Sequence, residues 1–231
     1  MPERTRELIG NLNIAREDGK FEDSLKLAVE ATLVAQQEGD ILGMAEIQSS
    51  NFLTYRHLYD KTGDQNFLVL AKHSAHSAVE IAEKSGQKDA LAIPYYNLAK
   101  AHETLGEIEE AKDWYTKTIE AFQANPPESH NRAGVLADMK IHLHAAEAKL
   151  GDDSAIDRLK AALQDLLDSD EKDFTRNVWV SGGYMQLAEL LREEDPDQAK
   201  ENLQRAKEII DSDDRMVLRK DQWEKLAASF S

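Results

Sequence analysis

Apolar and small residues recur three and four positions apart along most of the chain, which is the spacing of one helical face. The clearest stretch is Tyr95–Phe122. There Tyr95, Leu98, Ala99 and His102 share one face, Gly106 interrupts, and Ala111, Tyr115, Thr118 and Phe122 form a second face. The pattern predicts a helical hairpin with small residues at its close crossings. A variant runs over 10–31, where Gly19-Lys-Phe-Glu-Asp-Ser24-Leu has the layout of Gly106-Glu-Ile-Glu-Glu-Ala111-Lys. No stretch alternates apolar and polar residues for long enough to predict a sheet.

Breaks fall at regular intervals: Gly19, Gly39-Asp40, Gly63-Asp64, Gly86, Gly106, Asn125-Pro126-Pro127, Gly151-Asp152, 169–173, Asp195-Pro196 and 211–213. Between them the periodicity predicts eleven helices, over 3–18, 21–38, 41–61, 65–85, 88–105, 107–124, 128–150, 154–168, 173–193, 196–211 and 214–229. Some ends carry their own chemistry. Asp195 can accept from the first amides of the next helix, and Pro196 suits its first turn, where a missing N–H costs nothing. Gly106 and Gly151 can take the left-handed conformation that closes a helix. Pro126-Pro127 cannot continue one.

The connections are short, so consecutive helices should pack antiparallel. That gives five hairpins and a last helix. Gly39 and Gly86, like Gly106 and Gly151, lie about 45 residues apart, a long period for a two-helix repeat. No linker or low-complexity segment divides the chain, so 1–231 reads as one continuous domain. Residues 214–229 look like a cap, with Met216, Val217, Trp223, Leu226, Ala227 and Phe230 covering the last hairpin and Arg215, Arg219, Lys220 and Lys225 facing water.

Tyr95-x2-Leu98-Ala99-x2-His102 followed by Ala111-x3-Tyr115-x2-Thr118 resembles the tetratricopeptide repeat (TPR). His102 stands where that motif favours an aromatic residue, and Thr118 where it favours a second Ala. Ala199-x3-Leu203-x2-Ala206 matches the motif's second half, and Ala71-x3-Ala75-x2-Ala78 its small positions. The resemblance covers most of the chain by architecture and one repeat by motif. It implies an all-α, right-handed superhelix of antiparallel hairpins, a TPR-like α-solenoid. The first helices would line a concave face where peptides or partner proteins bind.

Composition supports the helical reading and removes several functions. The 231 residues are 41% hydrophobic, with 11 Gly and 5 Pro. A formal net charge of −16 repels phosphate backbones, which argues against nucleic-acid binding. The acidic groups read mainly as a solvated surface, with a docking face for a basic partner as the alternative. With no Cys, disulfides, thiolate nucleophiles and Cys-based zinc sites are excluded. The first residues form no apolar signal core, and no run of about 18 apolar residues exists to cross a membrane. A cytoplasmic protein is the expectation.

Candidate binding residues follow from the expected concave side. Tyr96, Asn97 and Lys100 point away from the Tyr95/Leu98/Ala99 face. In similar proteins an Asn at the place of Asn97 binds a peptide backbone or carboxylate. Asn51 and Tyr55, with Arg56, hold comparable places on the third helix, Asn13 and Arg16 on the first, and His144, with His142, on the seventh. Each also has a plain reading as a solvent-exposed or inter-helix contact. His73, His76 and Glu80 have a spacing that can place metal ligands on one side of a helix. They flank the Ala71/Ala75/Ala78 packing stripe, and marginal surface residues are the more economical reading. Asp138 and His142 can pair at i,i+4. Gly182-Gly183 predicts close packing or a kink in the ninth helix, since two glycines weaken it by about 1 kcal/mol each. Trp114, Trp179 and Trp223 read as packing residues, with Trp114 partly exposed. No nucleophile, oxyanion donor or phosphate-binding loop accompanies these groups, so no catalytic residue and no cofactor is assigned. The expected function is a non-catalytic scaffold or adaptor for a protein or extended peptide. Self-assembly into a homo-oligomer and an interior small-molecule sensor pocket are the alternatives.

Overall fold

The computed structural model describes residues 1–128 and 130–230. Among them are eleven α-helices and one 3-10 turn, with no strand. They fall into two compact units, 1–128 and 129–231.

The first unit contains α1 (Glu3–Glu17), α2 (Phe21–Glu38), α3 (Ile41–Thr62), α4 (Gln65–Ser85), α5 (Ala92–Thr104) and α6 (Ile108–Ala124). Consecutive helices pair as α1/α2, α3/α4 and α5/α6. Leu8 and Leu12 of α1, Ala28 and Ala31 of α2 and Ile47 of α3 form one core. Phe52, Ala71, Ala75, Leu98 and Ala101 form another, and it joins α3 and α4 to α5. Each core therefore takes residues from one hairpin and from the first helix of the next, which is how stacked repeats bury surface that one hairpin leaves open. A buried hydroxyl pair, Ser24 and Thr54 at 3.2 Å, links α2 to α3.

The second unit contains α7 (Ala133–Lys149), α8 (Ala155–Leu167), α9 (Asp173–Leu191), α10 (Pro196–Asp211) and α11 (Val217–Ala228). Its core joins Ile141 of α7, Leu159, Leu163 and Leu166 of α8, and Val180 and Leu187 of α9. α11 packs on both α9 and α10. Met216, Trp223 and Leu226 meet Met185 and Ile210 there, so the expected cap exists.

The predicted ends hold where local chemistry determines them. Asp195 accepts from the Gln198 amide at 3.1 Å, and Pro196 opens α10. Gly106 and Gly151 have φ of 77° and 89°, which a residue with a Cβ rarely adopts. Three boundaries differ. Residues 88–90 form a 3-10 turn, and α5 begins at Ala92. α7 begins at Ala133, later than periodicity suggested. Arg132 before it is extended and pairs at 2.7 Å with the buried Glu171 carboxylate. α11 begins at Val217 because Asp213 folds the chain back locally, accepting from the Arg215 amide at 3.0 Å.

That later start corrects the cap. Val217 is 60% exposed, while Arg219 lies over Gly182 with its guanidinium 3.2 Å from where a Cβ would stand. Arg219, Trp223 and Leu226 share the inward face at i, i+4 and i+7. The glycine pair itself neither breaks nor ends α9. A Cβ on Gly183 would sit 2.9 Å from Leu163 Cδ1, so close helix packing is what the pair permits.

Candidate functional site

In the first unit α1 meets α3 and α3 meets α5, whereas α2, α4 and α6 do not approach one another to the same degree. The first helices therefore form the closer-spaced layer. The side chains expected to bind there divide into those that stay partly open and those drawn into packing.

Asn13 and Arg16 are tied to the scaffold. Arg16 is 7% exposed and donates from Nη1 to Asn13 Oδ1 at 2.8 Å and from Nε to Glu17 Oε1 at 3.0 Å. Ser50 of α3 donates to the same Asn13 oxygen at 3.0 Å. The Asn13 amide thus holds the guanidinium and locks α1 to α3. Burial lowers the Arg16 pKa below its ordinary value. Glu17 opposes that shift and the Arg56 charge adds to it. Arg56 lies 6.0 Å from the Phe52 ring centroid, and its Nε is buried with no hydrogen-bond partner among the described residues. An orphaned guanidinium N–H is costly inside a protein.

Asn51 is half-buried and has no hydrogen-bond partner among the described residues. Tyr55 is half-buried and packs against the Phe52–Leu98 core. His57, one turn after Leu53, stacks on Phe21 at 6.4 Å, and burial lowers its pKa more than the nearby Arg56 charge does. On α5, Tyr96 and Lys100 stay half-exposed. The Lys100 ammonium sits 4.9 Å from the Tyr96 ring centroid, and that ring lies 5.8 Å from Tyr115 of α6. Asn97 between them is 7% exposed. The cause is crowding: α5 packs against α3, α4 and α6 at once, which leaves a narrow open strip.

His144 belongs to the second unit. Its Nδ1 meets Glu147 Oε2 at 2.7 Å, and Arg158 spans Glu147 and Asp152 at 2.8 Å each. The arrangement fastens the α7–α8 turn. His142 pairs with Gln186 Nε2 at 3.0 Å. The eight expected binding residues are thus divided between the two units.

One cluster was not read from sequence. His102, 5% exposed, places Nδ1 2.6 Å from Glu107 Oε2, and Lys72 donates to both Glu107 oxygens at 2.7 and 2.8 Å. The network joins α4, α5 and the start of α6. His102 stands where the repeat motif favours an aromatic residue; the Glu five residues on was the available signal. His76 turns edge-on to His102, with centroids 5.8 Å apart. Among the described residues no group of three or more His, Asp or Glu side chains is placed to hold a metal. Among the same residues no helix is long and apolar enough to cross a membrane.

The chain matches no described protein family. It matches no curated protein either. Solved structures do resemble it. BtubC (BKLC) from P. vanneervenii superposes with a TM-score of 0.58 at 22% identity, over 87% of this chain and 77% of that one. A Podosopora anserina protein of nearly identical TPR-like repeats, described as a putative kinesin light chain, gives 0.59 at 13% identity, over 93% and 99%. A single-substitution variant of that protein gives 0.60 at 13% identity, over 91% and 97%. At such identities the likeness speaks for the fold. Helices paired in sequence order, cores shared between neighbouring hairpins and these superpositions together give the chain a TPR-like helical repeat fold.

Proposed function

We propose that the chain is a non-catalytic scaffold that binds a protein or extended peptide on the α1–α3–α5 layer of its first unit. The observation that carries this reading is the pair of neighbouring guanidiniums on that layer. Arg16 is buried and held in place by Asn13, and Arg56 keeps a buried Nε without a partner among the described residues. Two cations share a small region of a chain with net charge −16. A carboxylate from a partner placed beside them would relieve their mutual repulsion, and charge-assisted bonds are about twice as strong as neutral ones. Asn51 adds an unengaged amide, and Tyr96 with Lys100 adds an aromatic ring and a cation. Because Asn13, Ser50 and Phe52 already fix the arginines, little side-chain entropy is lost when a partner docks. The partner side is therefore acidic. The TPR-like fold supports an interaction role of this kind.

The test is affinity capture from native extract with the wild-type chain, Arg56→Ala and Tyr96→Ala/Lys100→Ala. A partner retained by the wild type should bind each variant about tenfold more weakly, with unchanged thermal melting. Retention of every partner by both variants would overturn the reading. Asn97 is left intact because it is buried.

A second reading has its own observation. Val29 and Leu33, one turn apart on α2, are 64% and 55% exposed. They favour self-association through α2, and a solution mass that rises with concentration, and falls back in Leu33→Glu, would identify it.

A further inference from the structure

The junction between α4 and α5 holds two histidines beside a charged pair. Lys72 and His76 stand one turn apart on α4, and Leu98 and His102 one turn apart on α5. Ala71, Ala75 and Val79 of α4 pack against Leu98 and Ala101 of α5, which draws these neighbouring rows together. The junction joins the second hairpin, α3/α4, to the third, α5/α6. Glu107 lies at its edge, just before α6, and its backbone amide donates to the His102 carbonyl at 3.0 Å.

Charge at this junction is balanced only while both rings are neutral. In the neutral His102 ring, Nδ1 carries the proton and donates it to Glu107 Oε2, 2.6 Å away. Nε2 then keeps the lone pair, and it is buried with no partner among the described residues. Glu107 also receives Lys72 at 2.7 and 2.8 Å, so its carboxylate is already shared between an ammonium and an imidazole N–H. His76 is half-buried and stands edge-on to His102, with centroids 5.8 Å apart and planes at 80°. Lys72, His73 and Glu80 of its own helix and His102 of α5 are the charged and titratable groups that act on it. Glu107 reaches the site through Lys72 and His102. α3 lines the same core with Phe52 and Tyr55. Burial, then His102 and Lys72, lower the His76 pKa, and the exposed Glu80 opposes them.

We infer that His76 is an acid-sensitive latch: a proton on its ring releases the third hairpin from α4. The new charge meets Lys72 and a buried ring, and the nearby Glu107 carboxylate is already engaged. In the released form water solvates that charge instead. A histidine whose pKa is lowered in the closed form holds the junction best above about pH 6.5 and loses its grip as pH falls below that value. With an ordinary pKa near 6.5 in the open form, going from about pH 7.5 to about pH 5.5 raises the open population up to about tenfold. Glu107, lowered chiefly by Lys72, keeps its charge through this window and is not the trigger. The latch does not depend on a partner for the α1–α3–α5 layer.

Amide hydrogen exchange of the full chain at about pH 7.5 and about pH 5.5, expressed as protection factors, reads the opening segment by segment. His76→Phe keeps an edge-on ring that cannot take a proton, and His76→Gln removes the ring as well. His57→Gln removes another half-buried histidine of the same unit. On acidification, protection across α5 should fall up to about tenfold more than across α1, in wild type and in His57→Gln alike. In His76→Phe and His76→Gln the two helices should lose protection equally. Three results overturn the inference. α5 and α1 falling alike in wild type would mean that the whole unit opens together. An excess loss at α5 that persists in both His76 variants would place the trigger elsewhere. Protection of α5 that rises in acid would mean that the charged His76 donates to His102 Nε2 and tightens the junction.

Discussion

Burial acts on charged and titratable side chains in both units, and the surroundings decide how far it is opposed. Burial lowers the Arg16 pKa, against which Glu17 acts, and Asn13 and Glu17 take its N–H groups. His57 has weaker support: Asp60 lies 3.8 Å away, and burial holds its pKa below the usual value near 6.5. The same direction holds for His76 and His130, where burial is again the largest cause. A lowered histidine pKa means that, below about pH 6.5, the unfolded chain binds more protons than the folded one. Stability contributed by the neutral rings is therefore complete above about pH 6.5 and falls as pH drops below it. Urea midpoints should rise between about pH 5 and pH 7, and His57→Gln should flatten that slope. An unchanged slope in the variant would show that His57 is not among the responsible groups. The Glu107 carboxyl is lowered chiefly by Lys72, and at Glu147 the upward push of burial is outweighed by Arg158 and His144. Both lose their stabilising charge in more acidic solution.

Helix ends show which boundaries the local sequence controls. Asp40, Asp64 and Asp195 each accept a backbone amide at the start of their helix, and each follows a break that periodicity located. Asp195 is the cleanest case because it is exposed. Asp195→Ala should destabilise the chain by about 1 kcal/mol, read as a lower denaturant midpoint at unchanged slope. Asp195→Asn should keep most of the wild-type stability, since an amide oxygen caps equally well. The starts of α7 and α11 were less legible, because Glu171 on a later segment and the Asp213–Arg215 turn set them. Gly182 and Gly183 argue the same point inside a helix. Their adjacency announced an irregularity, yet the side chains that crowd them, Arg219 and Leu163, belong to α11 and α8, far away in the chain.

For the whole molecule, the unit of cooperativity is the open quantity. Contacts divide the chain at 128/129, whereas its composition has no linker. We propose that 1–231 unfolds as one domain, in keeping with an array in which each hairpin depends on its neighbours. Calorimetry should then show a single transition whose calorimetric and van't Hoff enthalpies agree. Two transitions, reproduced by the fragments 1–128 and 130–231 separately, would establish independent units instead.

Helical class, hairpin pairing and most helix limits were decided by the sequence itself, because they depend on residues three or four positions apart and on caps within one turn. Tyr95, Leu98, Ala111 and Tyr115 were recognisable as packing residues for that reason. The candidate sites depended on tertiary structure. That Asn97 is covered while Tyr96 and Lys100 stay open follows from three helices closing on α5. That Arg56 is left with an orphaned N–H depends on how separate hairpins approach one another. Periodicity assigns a residue to a face of its own helix; which neighbour covers that face, and how completely, is decided by packing between residues distant in sequence.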